Sequence, residues 1–360
     1  MAYLTGDIED CAACIRTGGL VAFPTETVYG LGANALSDPA VRSIFQAKRR
    51  PLNDPVIVHV SGLEEALGLI AETDEGLLDI YQFLGRRFWP GPLTIVCRAA
   101  PHMPAVLMAG TGYVGVRCPN HPIALELIRA AGVPIAAPSA NLFSHVSPTS
   151  PEHVLKDFGQ SEHRIKVIPG GQCSFGIEST VVKLYQEASQ YCLHILRKGG
   201  VSEDGLRKAL AEGGVQAVVT AVSREHHVAE GEQAEGPGQL LKHYSPAVDA
   251  YIAVTNKLQN TPICHLSHSV ILDFHSLMAS LDSPNRRNLS ESGDIAEAIN
   301  NLYAALRWTE ELSGVLCVLL PDLRTVPQTE FVASLWDRIY RAAAGREAVC
   351  VEGEVYTVKT

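Results

Sequence analysis

Short apolar runs alternate with stretches of helical spacing through the first two hundred residues. Runs rich in β-branched residues predict strands, and apolar positions three or four residues apart predict helices. The predicted strands cover residues 20–23, 56–60, 93–97, 114–117, 135–137, 165–168, 180–184 and 192–196, and the predicted helices cover 41–48, 76–88 and a segment around Cys11 and Cys14. Because strands outnumber helices, we expect a twisted mixed sheet with helices rather than a regular doubly wound one.

The pattern dissolves between about residues 222 and 244. His226 and His227, acidic residues, Gly231 and the tripeptide 236–238 (Gly-Pro-Gly) replace the apolar periodicity there, which is typical of a linker. Beyond it, residues 250–254, 270–274 and 315–320 predict strands, and 295–311 and 330–344 predict helices. We therefore expect a first α/β domain over 1–215, a linker over 216–247, and a smaller Rossmann-like α/β domain over 248–360.

Composition and charge narrow the class of protein. The 360 residues are 46% hydrophobic and 19% charged, as in a folded globular protein. The longest apolar runs fall far short of the roughly 20 residues of a membrane span, and residues 1–10 resemble neither a signal nor a transit peptide. We therefore expect a cytoplasmic protein without a membrane partner, and the net charge of −10 argues against a generally basic nucleic-acid surface.

Cysteine and histidine spacing gives little support for metal or redox chemistry. The chain has nine cysteines, and an odd number fits free thiols in a reducing compartment. Cys11 and Cys14 lie inside a helical pattern that precedes the first strand, which is the wrong context for a redox pair. A zinc site would need a second pair of ligands at a suitable spacing. The sequence offers no such pair near His226, His227, His265 or His268.

A nucleotide, if bound, needs an unusual site. Residues 110–115 match G-x-G-x-x-G, but the sequence that follows is strand-like, whereas a dinucleotide site needs a helix there. The loop after the first predicted strand, up to residue 32, offers Thr25, Thr27 and Tyr29 at a strand end. Lys48, Arg49 and Arg50 end a predicted helix, where they would either bind phosphate or cap the helix at a solvent-tolerant position. In both cases we expect the removal of Lys48 or Arg50 to leave the fold intact.

Two further segments are rich in small polar residues. Residues 137–141 (Ala-Pro-Ser-Ala-Asn) lie at a strand end and suit hydrogen bonds to a ligand, although a turn and helix cap before Pro151 would explain them equally. Residues 170–180 form a Gly-rich run that enters a strand.

Together these segments resemble the YrdC-type threonylcarbamoyl-AMP synthase family. The similar blocks are residues 24–32, 48–60, 89–94, 114–122, 138–141 and 176–182, and residues 236–238 with 243–246 are similar to the linker of the long, two-domain form. Asp54, Phe143 and Lys242 depart from the family pattern. An acidic side chain pointing at phosphate would be unfavourable, so we expect the backbone of Asp54 to do any work there.

The resemblance implies a YrdC-like first domain that converts L-threonine, bicarbonate and ATP to threonylcarbamoyl-AMP and pyrophosphate. This nucleotidyl transfer would serve the tRNA threonylcarbamoyl transferase machinery that acts next, with a weak tRNA contact conceivable. The alternatives are a non-catalytic RNA-binding module of the same fold, which the acidic charge disfavours, and carbamoyl-adenylate chemistry for O-carbamoylation, which needs extra domains.

The resemblance also implies site residues. Around threonine and its carbamate it places Thr27, His59, Arg117, Ala137 and Ser179. Around ATP it places Arg50, Asp54, Tyr113, Ser139, Ser147, Arg197 and Tyr244. Lys48 and Arg50 would serve catalysis by neutralising phosphate charge. His243 and Tyr244 would form the tip of a linker that closes over the nucleotide. Mg²⁺ is implied by ATP chemistry, but no protein ligand for it follows from the sequence.

Overall fold

The computed structural model describes residues 1–221, 234–238, 241–255, 257–329 and 331–358. The chain divides into two compact units: unit 1 comprises Met1–Phe143 and Pro148–Gln239, and unit 2 comprises Ser144–Ser147 and Leu240–Thr360. Much of the predicted linker, including His226, His227 and Gly231, lies outside the described residues.

Unit 1 is built from strands and helices that alternate along most of its length. Its strands are β1 (Ala2–Leu4), β2 (Leu20–Phe23), β3 (Gly30–Asn34), β4 (Val58–His59), β5 (Leu93–Arg98), β6 (Tyr113–Arg117), β7 (Ile135–Ala136), β8 (Ile165–Val167), β9 (Thr180–Glu187), β10 (Gln190–Arg197) and β11 (Val218–Ala221). Its helices are α1 (Ile8–Arg16), α2 (Asp38–Lys48), α3 (Leu63–Leu67), α4 (Glu75–Phe88), α5 (Pro122–Ala131), α6 (Pro151–Phe158) and α7 (Glu203–Glu212), with a 3₁₀ turn at Ala105–Met108.

The described strands of unit 1 form one mixed sheet of eleven, in the order β1-β8-β2-β3-β7-β4-β6-β5-β9-β10-β11. Parallel pairs such as β4 with β6 adjoin antiparallel pairs such as β5 with β6, so the predicted mixed α/β sheet is confirmed. Strand β2 is buried on both faces, since Leu20 and Ala22 join one apolar cluster while Val21 and Phe23 join another. Helices therefore cover both sides of the sheet at this strand.

Strand β3 corrects the sequence analysis, which interpreted the residues up to 32 as a loop. The two glycines of Gly30–Asn34 have low strand propensity, but the close packing requires one of them. A Cβ on Gly32 would lie 2.8 Å from side-chain atoms of both Phe23 and Ile135. The neighbouring strands β2 and β7 can approach this closely because Gly32 has no side chain.

Unit 2 contains a second sheet, whose described strands number seven. These are β12 (Ala250–Ala253), β13 (Gln259–His265), β14 (Ser269–Asp273), β15 (Asn285–Asn288), β16 (Cys317–Leu320), β17 (Glu347–Val351) and β18 (Glu354–Val358), accompanied by α8 (Ile295–Thr309), α9 (Val332–Ala342) and 3₁₀ turns at Leu266–His268 and Leu323–Thr325. Their order is β13-β18-β17-β12-β16-β14-β15. Five neighbouring strands run parallel, and β18 and β13 add an antiparallel edge. The expected smaller α/β fold is confirmed.

The cysteines are unpaired, and the described helices do not have membrane-spanning length and apolarity. Cys11 and Cys14 lie in α1, as the periodicity predicts, and the nine cysteines, all within the described ranges, are free thiols. In the part of the chain that the structure describes, no helix combines the length and apolarity needed to cross a membrane.

Candidate active site

Most of the predicted site residues lie at or next to strand ends of the unit 1 sheet. The positions are Thr27 between β2 and β3, His59 on β4, Arg117 on β6, Ala137 after β7, Ser179 before β9 and Arg197 at the end of β10. His59 and Arg117 are register partners in the parallel pair of β4 and β6. The N–H of Ala137 donates to the carbonyl of Ile57 at 2.9 Å, so the β7 end is held against the chain that leads into β4.

The cations at the end of α2 are not arranged as the sequence suggested. Arg49 adopts a left-handed backbone (φ 55°) and is exposed, whereas Lys48 is 1% and Arg50 8% exposed. Lys48 Nζ donates to the carbonyl oxygens of Ser139 and Asn141. The expectation that Lys48 and Arg50 occupy a solvent-tolerant helix end is therefore wrong, because the turn at Arg49 directs its two neighbours inward.

Arg50 forms an ion pair with Asp54, one of the residues that depart from the family pattern. Arg50 Nη2 lies 2.9 Å from Asp54 Oδ2, and the guanidinium also donates to the carbonyls of Asp54 and Pro55 at 3.1 and 2.7 Å. The ion pair lacks hydrogen-bond direction, and neither Asp54 carboxylate oxygen has a hydrogen-bond partner among the described residues. Burial raises the pKa of Asp54, although Arg50, Lys48 and Arg197 oppose that rise. Both the backbone carbonyl and the carboxylate of Asp54 thus contact Arg50, and the expected backbone contact of Asp54 with the nucleotide stays a prediction.

Ser179 connects residues that the sequence assigned to different substrates. The Arg197 guanidinium donates to the Ser179 carbonyl at 3.1 and 2.9 Å and to Ser179 Oγ at 3.1 Å. Ser179 Oγ also shares a 2.8 Å hydrogen bond with Thr94 Oγ1 on β5. Sequence reasoning missed Thr94 as a site residue, although it lies in a block that carried the family resemblance.

A hydroxyl-rich turn precedes β3 and faces Arg117. Thr25 Oγ1 is 2.8 Å from Thr27 Oγ1 and donates to the carbonyl of Val28 at 2.7 Å. Between the two threonines, Glu26 Oε1 lies 2.7 Å from Arg117 Nη2. Glu26 was not singled out from the sequence. The available signal was its position as the acidic residue between two threonines in this turn.

His59 is held in its neutral form. The side chain is buried, with the edge of its ring against Phe23 at a centroid distance of 6.0 Å. Burial, and secondarily the charge of Arg117, lowers the pKa of His59 to about 3. The imidazole therefore presents a hydrogen-bonding group without adding charge to the site.

Three remaining predicted residues have different surroundings. Tyr113 begins β6, with Lys183 Nζ 4.4 Å from its ring centroid. Ser147 and Tyr244 are buried and belong to unit 2. Tyr244 stacks on Tyr303 at a centroid distance of 5.5 Å.

The other sequence motifs did not produce further sites. Residues 110–115 lead into strand β6 rather than a helix, so the dinucleotide motif lacks its structural context, as expected. Within the described ranges, no group of three or more His, Cys, Asp and Glu side chains could hold a metal ion.

Comparisons with known proteins cover both units. A family model named Sua5_yciO_yrdC and described as "Telomere recombination" matches residues 13–199, and one described as "Threonylcarbamoyl-AMP synthase, C-terminal domain" matches residues 201–344. The threonylcarbamoyl-AMP synthase of Bacillus subtilis (strain 168) is 39% identical over 356 residues, which is 94% of this chain and 93% of that protein. That of Pyrococcus abyssi is 41% identical over 246 residues, 68% of this chain and 67% of that protein.

A solved structure extends the agreement to the fold. The crystal structure of P. abyssi Sua5 complexed with L-threonine matches with a TM-score of 0.79 at 31% identity, over 98% of this chain and 100% of that one. Sequence and fold thus agree along almost the whole length, including the smaller second unit. The chain therefore belongs to the threonylcarbamoyl-AMP synthase family, in its two-domain form.

Proposed function

We propose that unit 1 carries out this family's synthesis of threonylcarbamoyl-AMP as a nucleotidyl transfer from ATP. The observation that supports this most is the buried charge cluster of Lys48, Arg50, Asp54 and Arg197, whose members interact electrostatically around Asp54. Three cations against one carboxylate leave a net positive site at strand ends, which suits a polyphosphate.

The chemistry needs positioning more than a protein nucleophile. The threonine amine condenses with bicarbonate to give a carbamate and water. A carbamate oxygen then attacks the α-phosphorus of ATP, the new P–O bond forms, and the bond to pyrophosphate breaks in line. Such a transfer is accelerated mainly by orientation and by neutralising phosphate charge.

Threonine and its carbamate would occupy the part of the site formed by Thr27, His59, Arg117, Ala137 and Ser179. Arg117 is the group for the amino-acid carboxylate, since a guanidinium binds carboxylates in a planar, two-point manner. Neutral His59 and the hydroxyls of Thr27 and Ser179 offer hydrogen bonds. The support is that P. abyssi Sua5 forms a complex with L-threonine.

ATP would occupy the side formed by Arg50, Asp54, Tyr113, Ser139 and Arg197. Lys48 would act in two ways, because its bonds to the carbonyls of Ser139 and Asn141 shape the chain at the nucleotide while its charge attracts phosphate. Ser147 and Tyr244 stay predicted ATP-binding residues, and closure of the linker over the reactive carbamate and mixed anhydride stays a prediction from the sequence.

Mg²⁺ would enter as part of the nucleotide, held by phosphate oxygens. The acidic side chain nearest the cations, Asp54, faces Arg50 instead of offering a free ligand. We further propose a cytoplasmic reaction whose product passes to a tRNA threonylcarbamoyl transferase; the free thiols support that compartment.

Pyrophosphate release tests the proposed function directly. The purified full chain is supplied with ATP, Mg²⁺, L-threonine and bicarbonate, and products are separated by chromatography. We expect pyrophosphate and an acyl-adenylate in equal amounts, with neither formed when threonine or bicarbonate is omitted. Cleavage to ADP, or pyrophosphate release that does not depend on bicarbonate, would contradict the adenylyl transfer, and RNA binding without turnover would favour the non-catalytic alternative.

A further inference from the structure

Glu26 is a buried carboxylate whose hydrogen-bonding capacity is unused. The residue is 8% exposed, and neither carboxylate oxygen has a hydrogen-bond partner among the described residues. Its 2.7 Å contact with Arg117 Nη2 is close but poorly directed for a hydrogen bond. Burying a carboxylate in this way is costly unless another donor is supplied.

The backbone around Glu26 is fixed on both sides. Thr25 Oγ1 accepts hydrogen bonds from the N–H groups of Thr27 and Val28, both at 3.2 Å. The Glu26 carbonyl accepts from the N–H of Phe175 at 2.8 Å. The Glu26 side chain therefore starts from a defined position, which is the preorganisation that a binding group needs.

Arg117 has support besides Glu26. Its Nε donates to the carbonyl of Gly91 at 3.2 Å, and it lies on the sheet beside His59. A guanidinium next to an unsaturated carboxylate offers one group of each sign, and the two are close enough to face a single small ligand. An α-amino acid carries the complementary pair, a carboxylate and an ammonium group on the same carbon.

We propose that Glu26 binds the α-ammonium group of L-threonine and accepts the proton that this group loses before it becomes a carbamate. The inference rests on the proposed function and adds to it a residue for the amine, with Arg117 left for the carboxylate. The ammonium group would supply the directed N–H donors that the Glu26 oxygens lack.

The proton balance requires such an acceptor. An ammonium group has no lone pair for attack on carbon, so the substrate must first pass one proton to Glu26, giving a neutral amine and a carboxylic acid. The amine and bicarbonate then give the carbamate anion and one water. Overall, the ammonium form and bicarbonate yield carbamate, water and one proton, and Glu26 is where that proton first resides.

The titratable neighbours of Glu26 are compatible with this role. Burial raises the pKa of Cys118 to about 11 and that of Cys173 to about 12, so both thiols stay protonated near neutral pH. Burial lowers the pKa of half-buried His121, while the charge of Glu26 opposes that shift. The two protonated thiols therefore add no negative charge beside Glu26.

Calorimetric binding of two ligands to the full chain tests the proposal. The ligands are L-threonine and 3-hydroxybutanoate, which keeps the carboxylate and hydroxyl but lacks the amine. In the unaltered protein we expect threonine to bind about 10- to 100-fold more tightly, as for a charge-assisted hydrogen bond. Glu26→Gln should remove most of that preference by weakening threonine alone, with ATP affinity unchanged, and Glu26→Asp should restore part of it.

Glu65→Gln is the matched control. Glu65 Oε2 already accepts from the N–H and hydroxyl of Ser61 at 2.7 and 3.0 Å, so this change should leave both affinities as they were. Equal affinities of the two ligands for the unaltered protein would overturn the proposal even if Glu26→Gln failed to fold. A folded Glu26→Gln with full threonine affinity would overturn it too. If the unaltered protein bound no threonine, the proposed function itself would fail.

Discussion

Each unit buries a carboxylate beside an arginine, and the two pairs differ in how completely the carboxylate is bonded. In unit 2, Asp273 is 2% exposed, accepts from the N–H groups of Phe274 and Met278 at 2.8 and 3.0 Å, and lies 2.7 Å from Arg286 Nη1. In unit 1, Asp54 is 3% exposed and its carboxylate lies 2.9 Å from Arg50, but that carboxylate has no directed hydrogen bond within the described ranges.

The comparison shows that burial and charge alone do not identify a site. The Asp273 oxygens accept bonds from residues of their own unit, so they hold the end of β14 to β15 and to the turn between these strands. The carboxylates of Asp54 and Glu26 both have acceptor positions without a donor. A bound ligand that supplies donors can therefore gain binding free energy there. Unsaturated buried charge thus separates the candidate active site of unit 1 from the structural pair of unit 2.

Replacing each aspartate by alanine should give the largest difference between the pairs. Asp273→Ala leaves two backbone N–H groups without their acceptor and removes one of the three acceptors of Arg286, so we expect a loss of about 3–5 kcal/mol in the free energy of unfolding. Asp54→Ala should cost less, about 2 kcal/mol, because no N–H group loses its acceptor and Arg50 keeps the carbonyls of Asp54 and Pro55, although its buried charge loses a counter-charge. Urea unfolding of both variants measures this. Equal losses would remove the distinction.

Removing a unit 1 cation should reduce both activity and stability. We expect Arg50→Ala and Lys48→Ala each to lower the pyrophosphate release rate at least about tenfold, since ATP loses a phosphate partner. Each should also lower the unfolding free energy by about 2–3 kcal/mol, because Lys48 and Arg50 are buried and bonded. Rates are measured on protein shown to be folded by circular dichroism. Full activity in both variants would return these cations to a purely structural role.

Serine should be a poorer substrate than threonine. A pocket that packs the threonine methyl group loses roughly 1–3 kcal/mol of transition-state binding when the methyl group is absent. Competition between the two amino acids in the pyrophosphate assay gives the ratio of kcat/KM. A ratio near one would show that the threonine side of the site does not contact the methyl group.

Acid should weaken unit 1 through His59. Its folded-state pKa is lowered from 6.5 to about 3, so the unfolded chain binds the proton more readily. The stability linked to His59 is present above pH 6.5 and falls as pH decreases toward 3, by up to about 1.4 kcal/mol per pH unit. The slope of unfolding free energy against pH should be shallower in His59→Gln. An unchanged slope would mean that His59 does not titrate on unfolding.

The linker tip should have the smallest effect. Tyr244→Ala is expected to lower the yield of intact threonylcarbamoyl-AMP per ATP consumed by about two- to threefold, because water reaches the intermediates more easily. Tyr303→Phe is the control, since it keeps the ring stacked on Tyr244. A yield equal to that of the unaltered chain would leave the linker as a passive tether.

Much of the fold follows from apolar runs, and the misses have specific causes. The segments 20–23, 93–97 and 76–88 correspond closely to β2, β5 and α4. Helix α5 was overlooked although Pro122 near its start and Gly132 at its end are ordinary helix boundary signals. Strand β13 is mostly polar, and β17 and β18 have five residues each, so their pairing with one another, rather than their composition, defines them.

The site was predicted by block resemblance, and its electrostatics were not. Which strands bring Thr27, Arg117 and Ser179 to one region depends on sheet order, which a single sequence does not reveal. The inward direction of Lys48 depends on one left-handed residue, Arg49. Glu26 was missed because its importance lies in bonds it does not make, and these become visible when its surroundings are known.

Unit 2 includes four residues from the middle of the chain, Ser144–Ser147. Within that unit, His145 Nε2 lies 2.6 Å from Glu310 Oε1, and the buried Arg307 donates to the carbonyl of Val146. The backbone consequently passes between the units three times, and cutting it once cannot release either unit whole. A C-terminal fragment expressed alone would lack these partners, so the second domain should be recovered intact only when residues 144–147 are supplied, for example as a grafted peptide or by circular permutation.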